Sequence, residues 1–340
     1  VARFDGRASG CHNRAAIEGS MKTAAATRPY DFVLADIFTE TVFGGNPLAV
    51  LPDARGLPDE RMQIIAREFN LSETVFVLPP DDPRHDFHLR IFTPRTELPF
   101  AGHPTVGAAA VLAHLGKIDV TTGQAAAIFE EGVGPVGIQV RRDAGILRSE
   151  LMLAPVLQSL GAPPSHDILA ALLSLPPDSV RKCWLASIGV PFCFMQLADN
   201  ATVDRARLHM ETWHSHFANG PAPHLFFFAG EPGDGRALYA RMMAPAMGIE
   251  EDPATGAACA ALAASLGAQP IFPDGTSSFI VTQGVAMGRP SRIEASFDKQ
   301  DGRVTRIRLG GASVIFATGT LHVPAERDGE IEQQERHFAV

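Results

Sequence analysis

Hydrophobic positions along the chain come in short β-type runs closed by turn residues: 32–37, 48–51, 74–78, 87–92, 192–197, 225–228, 278–282, 303–309 and 312–323. Runs of this length and punctuation predict strands, so the chain reads as strand-rich. Two segments, 59–69 and 166–173, carry apolar residues at helical spacing instead and predict ordinary outer helices. Two more are helical but apolar all round: 104–115 (PTVGAAAVLAHL) and 253–266 (PATGAACAALAASL). A helix with almost no charge to show water is buried on every side, and the proline heading each segment is read as its first helical residue.

The two apolar helices belong to an internal repeat. Arg90-Ile-Phe-Thr-Pro94 is matched by Arg241-Met-Met-Ala-Pro245, and Pro104-x-x-Gly107-Ala108-Ala109 by Pro253-x-x-Gly256-Ala257-Ala258, with a connector two residues shorter in the second copy. Glu73 and His224 lie the same number of residues before Pro94 and Pro245, each opening a Phe-containing strand. The repeat predicts two lobes related by an approximate twofold axis. Each wraps strands around its buried helix, and the helix N-termini face one cleft. The expected boundaries are an extension over 1–30, taken as disordered, a first lobe over 31–150 completed by a strand at 312–324, a second lobe over 151–311, and a tail at 325–340.

Composition narrows the function classes. With 340 residues, 46% of them hydrophobic, the chain is long enough for two lobes with buried cores. A net charge of −9 and a pI near 5.7 leave no basic surface for nucleic acid. Cys11, Cys183, Cys193 and Cys259 contain no CxxC pair, which points to a reducing cytoplasmic setting and away from thiolate–metal sites. No apolar run reaches the roughly 20 residues of a spanning helix, so no membrane association is expected. Neither His214-x-His216 nor His85 and His88 shows a third ligand at metal spacing, and there is no nucleotide-binding loop, so neither metal nor cofactor is expected.

The residues ahead of the apolar helices are Gly102-His103-Pro104-Thr105 and Glu251-Asp252-Pro253-Ala254-Thr255-Gly256. Two helix N-termini that converge offer unpaired N–H groups and positive partial charge to a carboxylate or an enolate oxygen. Read singly, Thr105 and Asp252 are helix caps and His103 a turn residue. Read together, in matched positions, they mark a site. Glu73, where a helix ends and an apolar strand begins, becomes a base and then an acid if burial raises its pKa, and is a plain strand-edge glutamate if it does not. Gly44-Gly45-Asn46-Pro47 by itself says only turn. Arg289, beside a proline, reads as a surface residue, and Cys259 as a small buried hydrophobe.

The segments SETVFV, LRIFTPRTELPFAGHPTVGAAAVL, ARMMAPAMGIEEDPATGAACAALA, QGVAMGRPS and GGASV…TGTLHV resemble the phenazine-biosynthesis PhzF-like family, from about residue 31 to residue 323. The resemblance implies an α+β fold of the diaminopimelate-epimerase type: two pseudo-symmetric lobes, each a strongly curved, mostly antiparallel sheet or β-roll around a central apolar helix. It also implies a homodimeric, cofactor-independent isomerase. The family's catalytic glutamate, histidine and aspartate match Glu73, His103 and Asp252. The substrate-binding candidates are Asn46, Ser72, Gly102, Gly256, Ala257 and, as the counterpart of Glu73, His224. Ala257 stands where the family has a serine, so one side-chain hydrogen bond is missing and the substrate does not transfer automatically. The expected partner is a small carboxylate-bearing molecule. A racemase or epimerase of a small amino or imino acid is the alternative, although no cysteine pair stands at the helix starts, and a non-catalytic binding homologue is a third reading.

Overall fold

The computed structural model describes residues 27–233 and 235–324, of which Asp31–Thr320 form one compact unit. The proposed tail at 325–340, Cys11 and most of the 1–30 extension lie outside the described residues, but the last four residues of that extension, Thr27 to Tyr30, open the first strand. The first half runs β1 (Thr27–Ile37), β2 (Asn46–Leu51), α1 (Asp59–Phe69), β3 (Thr74–Leu78), β4 (Phe87–Phe92), β5 (Glu97–Leu98), α2 (Gly102–His114), β6 (Gln124–Glu131), β7 (Gly134–Asp143) and β8 (Ile146–Leu153). The second runs β9 (Gln158–Ser159), α3 (His166–Leu172), β10 (Val180–Ser187), β11 (Pro191–Leu197), α4 (Asn200–Arg205), α5 (Met210–His216), β12 (His224–Ala229), β13 (Arg236–Ala244), β14 (Ile249–Asp252), α6 (Gly256–Gly267), β15 (Gly275–Gln283), β16 (Ser291–Gln300) and β17 (Arg303–Pro324). No helix among the described residues is long and apolar enough to cross a membrane.

The repeat seen in the sequence is a repeat of strand pairing. In the first half β1–β2 is antiparallel, β2–β3 parallel, β3–β4 antiparallel, β4–β6 parallel, and β6–β7 and β7–β8 antiparallel. In the second half β10–β11, β11–β12, β12–β13, β13–β15, β15–β16 and β16–β17 repeat that order of senses. Even the register agrees: Thr74 faces Phe92 as Leu225 faces Met243, so Glu73 and His224 hold equivalent places. A bidentate clamp recurs too. Arg90 donates through Nε and Nη2 to both oxygens of Glu97 (2.7 and 2.8 Å), and Arg241 does the same to Glu251 (2.8 and 2.8 Å). The halves join where β8 and β17 pair antiparallel, with Leu151 opposite Leu309.

The expected helix burial holds. Every α2 residue from Gly102 to Ala113 is buried, against β2, β3, β7 and β8, and every α6 residue is buried except Ala257, against β10, β11 and β16. In β12 both faces are covered: Phe226 and Phe228 join the core around α6, while Leu225 and Phe227 pack with Leu169, Val203 and Trp213 of α3, α4 and α5. This explains its unbroken apolar run, since a strand covered on both faces has no wet side to mark.

Two local expectations are corrected. Pro104 is the third residue of α2 and Pro253 precedes α6, so neither heads its helix. A proline without an N–H is tolerated throughout the first turn, so its presence marks the helix start only to within a few residues. The runs 303–309 and 312–323 form one strand, because Gly310 and Gly311 act as a close approach and make no turn. A Cβ on Gly310 would lie 2.3 Å from the Ser149 carbonyl oxygen.

Candidate active site

The N-termini of α2 and α6 meet head to head: a Cβ on Gly102 would lie 3.3 Å from Gly256 Cα and 3.5 Å from Ala257 N. The N-cap residues are Ala101 and Thr255, and neither caps with its side chain. Thr105 and Asp252 are therefore not caps. The first N–H groups of each helix, on Gly102 and His103 and on Gly256, Ala257 and Ala258, have no intrahelical partner, so partial positive charge concentrates at this junction.

Around it stand the side chains singled out in the sequence. α1 ends on Asn70 in the left-handed conformation (φ 51°), which turns the chain so that Ser72 and Glu73 enter β3 beside α2. Glu73 Oε2 lies 3.3 Å from His103 Nε2, with side chains 12% and 7% exposed. The two atoms are close but not aligned for a hydrogen bond, and each is buried without a partner. Burial, then the nearby Asp252 charge, pushes the Glu73 carboxyl up to about 8, against a smaller opposing effect of Ser72. Burial pulls His103 down to about 3, so its ring is neutral. Asp252 rises only to about 6, because hydrogen bonds from Thr255 and Asn46 offset part of its burial.

Asn46 ties these groups together. Its Nδ2 donates to Asp252 Oδ1 (2.9 Å) and to the Ala254 carbonyl (3.1 Å) and lies 3.5 Å from His103 Nδ1, while its Oδ1 accepts from Ser72 Oγ (3.1 Å). The turn before it needs glycine: Gly45 has φ +61°, and a Cβ there would lie 2.2 Å from the Ile37 carbonyl oxygen. Arg289, read from sequence as a surface residue, clamps this turn. It donates to the carbonyls of Gly44 and Gly45 (both 2.8 Å) and to Asp36 (2.5 Å).

Gln283 and Thr255, which sequence reading missed, brace the other side. Thr255 Oγ1 donates to Asp252 Oδ2 (2.5 Å), and Gln283 Nε2 donates to the Asp252 carbonyl (2.7 Å) and Thr255 Oγ1 (3.0 Å). Only the equivalence of β6 and β15 across the repeat could have signalled Gln283.

Glu73, His103, Asp252, Asn46, Ser72, Gly102, Gly256 and Ala257 thus fall into one cluster. His224 sits at the start of β12, buried, its ring 5.9 Å from Phe192 and its Nδ1 without a partner; none of its described contacts joins it to that cluster. Cys259 is buried in α6, as expected, and burial raises its thiol pKa. One expectation fails away from the site. His88 has two neighbours at ligand spacing, Asp81 and Glu130, because β4 and β6 place His88 opposite Glu130. That trio lies at the surface, and the Glu130 carboxylate already accepts from the N–H groups of Asp81 and Asp82.

Comparisons with known proteins give the family and the fold. The sequence profile of the family described as phenazine biosynthesis-like protein matches residues 35–319. An uncharacterized isomerase of Mesorhizobium japonicum is 39% identical over 302 residues, covering 86% of this chain and 99% of that protein. The trans-2,3-dihydro-3-hydroxyanthranilate isomerase of Pseudomonas fluorescens is 34% identical over 294 residues, with coverage of 86% and 99%. Among solved structures, a Bacillus anthracis phenazine biosynthesis protein of the PhzF family superposes with a TM-score of 0.75 at 23% identity, over 86% of this chain and 99% of that one. The chain is a member of the phenazine biosynthesis-like, or PhzF, family of isomerases, and it has the diaminopimelate-epimerase-like fold.

Proposed function

We propose that this isomerase needs no cofactor and works by general acid–base catalysis, with Glu73 moving a proton between two positions of a small carboxylate-bearing substrate. The observation that carries the reading is the buried, unpartnered pair Glu73 Oε2 and His103 Nε2, 3.3 Å apart beside two opposed helix N-termini. A carboxyl with a midpoint near 8 takes a proton from carbon and gives it back at neutral pH. The N–H groups of Gly102, His103, Gly256 and Ala257 receive the substrate's anionic oxygen. Well-aimed donors of this kind contribute about 3 to 4 kcal/mol each to transition-state stabilisation. His103, neutral, and Asp252, ionised at pH 7, orient the substrate's polar groups.

The named relative's substrate, trans-2,3-dihydro-3-hydroxyanthranilate, is the first compound to test. Ala257 offers only its backbone N–H, so related cyclic carboxylates belong in the same screen. With a substrate in hand, Glu73→Gln keeps ligand binding and loses exchange of substrate hydrogen with deuterated solvent. Wild-type exchange in that variant removes Glu73 from the mechanism. Inversion of configuration at the exchanged carbon would make the reaction a racemisation.

A further inference from the structure

β6 ends on two adjacent glutamates that a strand sends to opposite faces. Glu130 goes outward, where His85 Nδ1 lies 2.8 Å from it. Glu131 goes inward and is 6% exposed, and its Oε1 lies 2.7 Å from Thr105 Oγ1, in the first turn of α2 two residues beyond His103. The same hydroxyl lies 2.8 Å from the Ala101 carbonyl oxygen. Glu131 Oε2 has no partner.

A threonine hydroxyl has one hydrogen, and a carbonyl oxygen can only accept. If that hydrogen goes to Ala101, Glu131 must supply a hydrogen of its own to Thr105. If it goes to Glu131, two oxygens face each other lone pair to lone pair at 2.8 Å. Only a carboxylic acid satisfies both contacts, since a buried carboxylate would also leave Oε2 charged and unpaired. Burial pushes the Glu131 carboxyl up to about 8. Of the nearby titratable groups, His103 on the same turn of α2 is neutral, and Glu130 is turned outward and paired.

The residues after Glu131 grip the chain entering the helix. A Cβ on Gly132 would lie 2.7 Å from Pro99 Cα, and the Val133 N–H donates to the Pro99 carbonyl (3.2 Å). Across the repeat, the place of Glu131 at the end of its strand is taken by Gln283, a neutral amide that braces the residues leading into α6.

We propose that Glu131, held as a neutral acid, is a positioning residue that fixes the first turn of α2, and with it Gly102 and His103; as a carboxylate it would release that turn and compete with an anionic ligand for the helix N-terminus. Its link to catalysis rests on the acid–base reading of Glu73, but its test does not. In an E73Q background, which removes that residue's own titration, infrared spectra at pH 7 are expected to show a carboxylic-acid carbonyl band that disappears in E73Q/E131Q and shifts in E73Q/T105V. The His103 ring nitrogen resonances are expected to move between pH 7 and pH 9 in E73Q and to stay fixed in E73Q/E131Q, where the amide N–H replaces the acid O–H. Glu131→Ala displaces those resonances at every pH, and Glu131→Gln restores them. An acid band that survives in E73Q/E131Q, or His103 resonances that Glu131→Ala leaves unmoved, overturns the proposal.

Discussion

At the scale of single residues, the site is organised by an amide that the sequence presents as part of a turn. Asn46 spends both Nδ2 hydrogens on Asp252 and Ala254, more than two hundred positions away, and its oxygen on Ser72. Replacing it with alanine leaves the buried Asp252 carboxylate short of a donor. A hydrogen bond to a charged group contributes about 1.5 to 3 kcal/mol, so Asn46→Ala should cost about 2 kcal/mol in urea denaturation. Because the Asn46 hydrogen bond lowers the Asp252 pKa, the substitution should also raise that midpoint above its present value of about 6. Carbon-13 titration of the Asp252 carboxyl checks the direction; an unchanged or lower midpoint would show that Asn46 does not hold the aspartate ionised.

At the scale of elements, α2 has separate jobs for its two glycines. Gly107 lies inside α2, where a Cβ would meet Leu48 Cδ2 at 2.5 Å and Ile37 Cδ1 at 2.6 Å. Gly107→Ala should therefore behave as core overpacking and cost about 1 to 3 kcal/mol. The three atoms nearest a Cβ on Gly102 are instead Gly256 Cα, Gly256 C and Ala257 N, at 3.3 to 3.5 Å. Gly102→Ala should spread the helix tips by a few tenths of an ångström, weaken carboxylate binding about tenfold or more, and leave the melting temperature nearly unchanged. Equal losses of stability in both variants would mean that the tip contact is ordinary packing.

The helices and many strands were legible because their cause is local: composition told burial, and the Arg-x-x-x-Pro and Pro-x-x-Gly matches told duplication. β5 and β14 were not, since two to four residues carry no periodicity. The Glu97 and Glu251 partners of the repeated arginines were hidden by the unequal connector. Gln283 and Arg289 were misread or missed, and Asn46 came only with the family resemblance, because what defines them is a partner supplied by a distant strand, and no window along the sequence contains both ends.

At the scale of the whole molecule, duplication has left the two halves with unlike side chains in like places: Glu73 answers to His224 and Glu131 to Gln283. The buried groups therefore give stability a defined pH dependence. Glu73 and Glu131 have midpoints near 8 in the folded protein, against 4.5 for an ordinary glutamate. Between those values the folded chain holds protons that the unfolded chain has released, so rising pH favours unfolding. Burial lowers His103 and His224 to about 3 and 4, against 6.5, and these act in the opposite sense, favouring unfolding as pH falls below 6.5. The opposing trends partly cancel below about pH 6.5, where Asp252 also titrates. Between 6.5 and 8 the two glutamates dominate among these groups, while the unfolded-state histidines lose the last of their protons. While still fully protonated in the folded chain, each contributes a fall of about 1.4 kcal/mol per pH unit, roughly 2.7 kcal/mol per unit together, and this slope falls to about half by pH 8, their own midpoint. Urea denaturation across that interval should show this slope in the wild type, about half of it in E73Q and in E131Q, and almost none in the double variant. A wild-type slope that neither substitution reduces would mean that both carboxyls are already ionised in the folded state, with other groups responsible for the pH dependence.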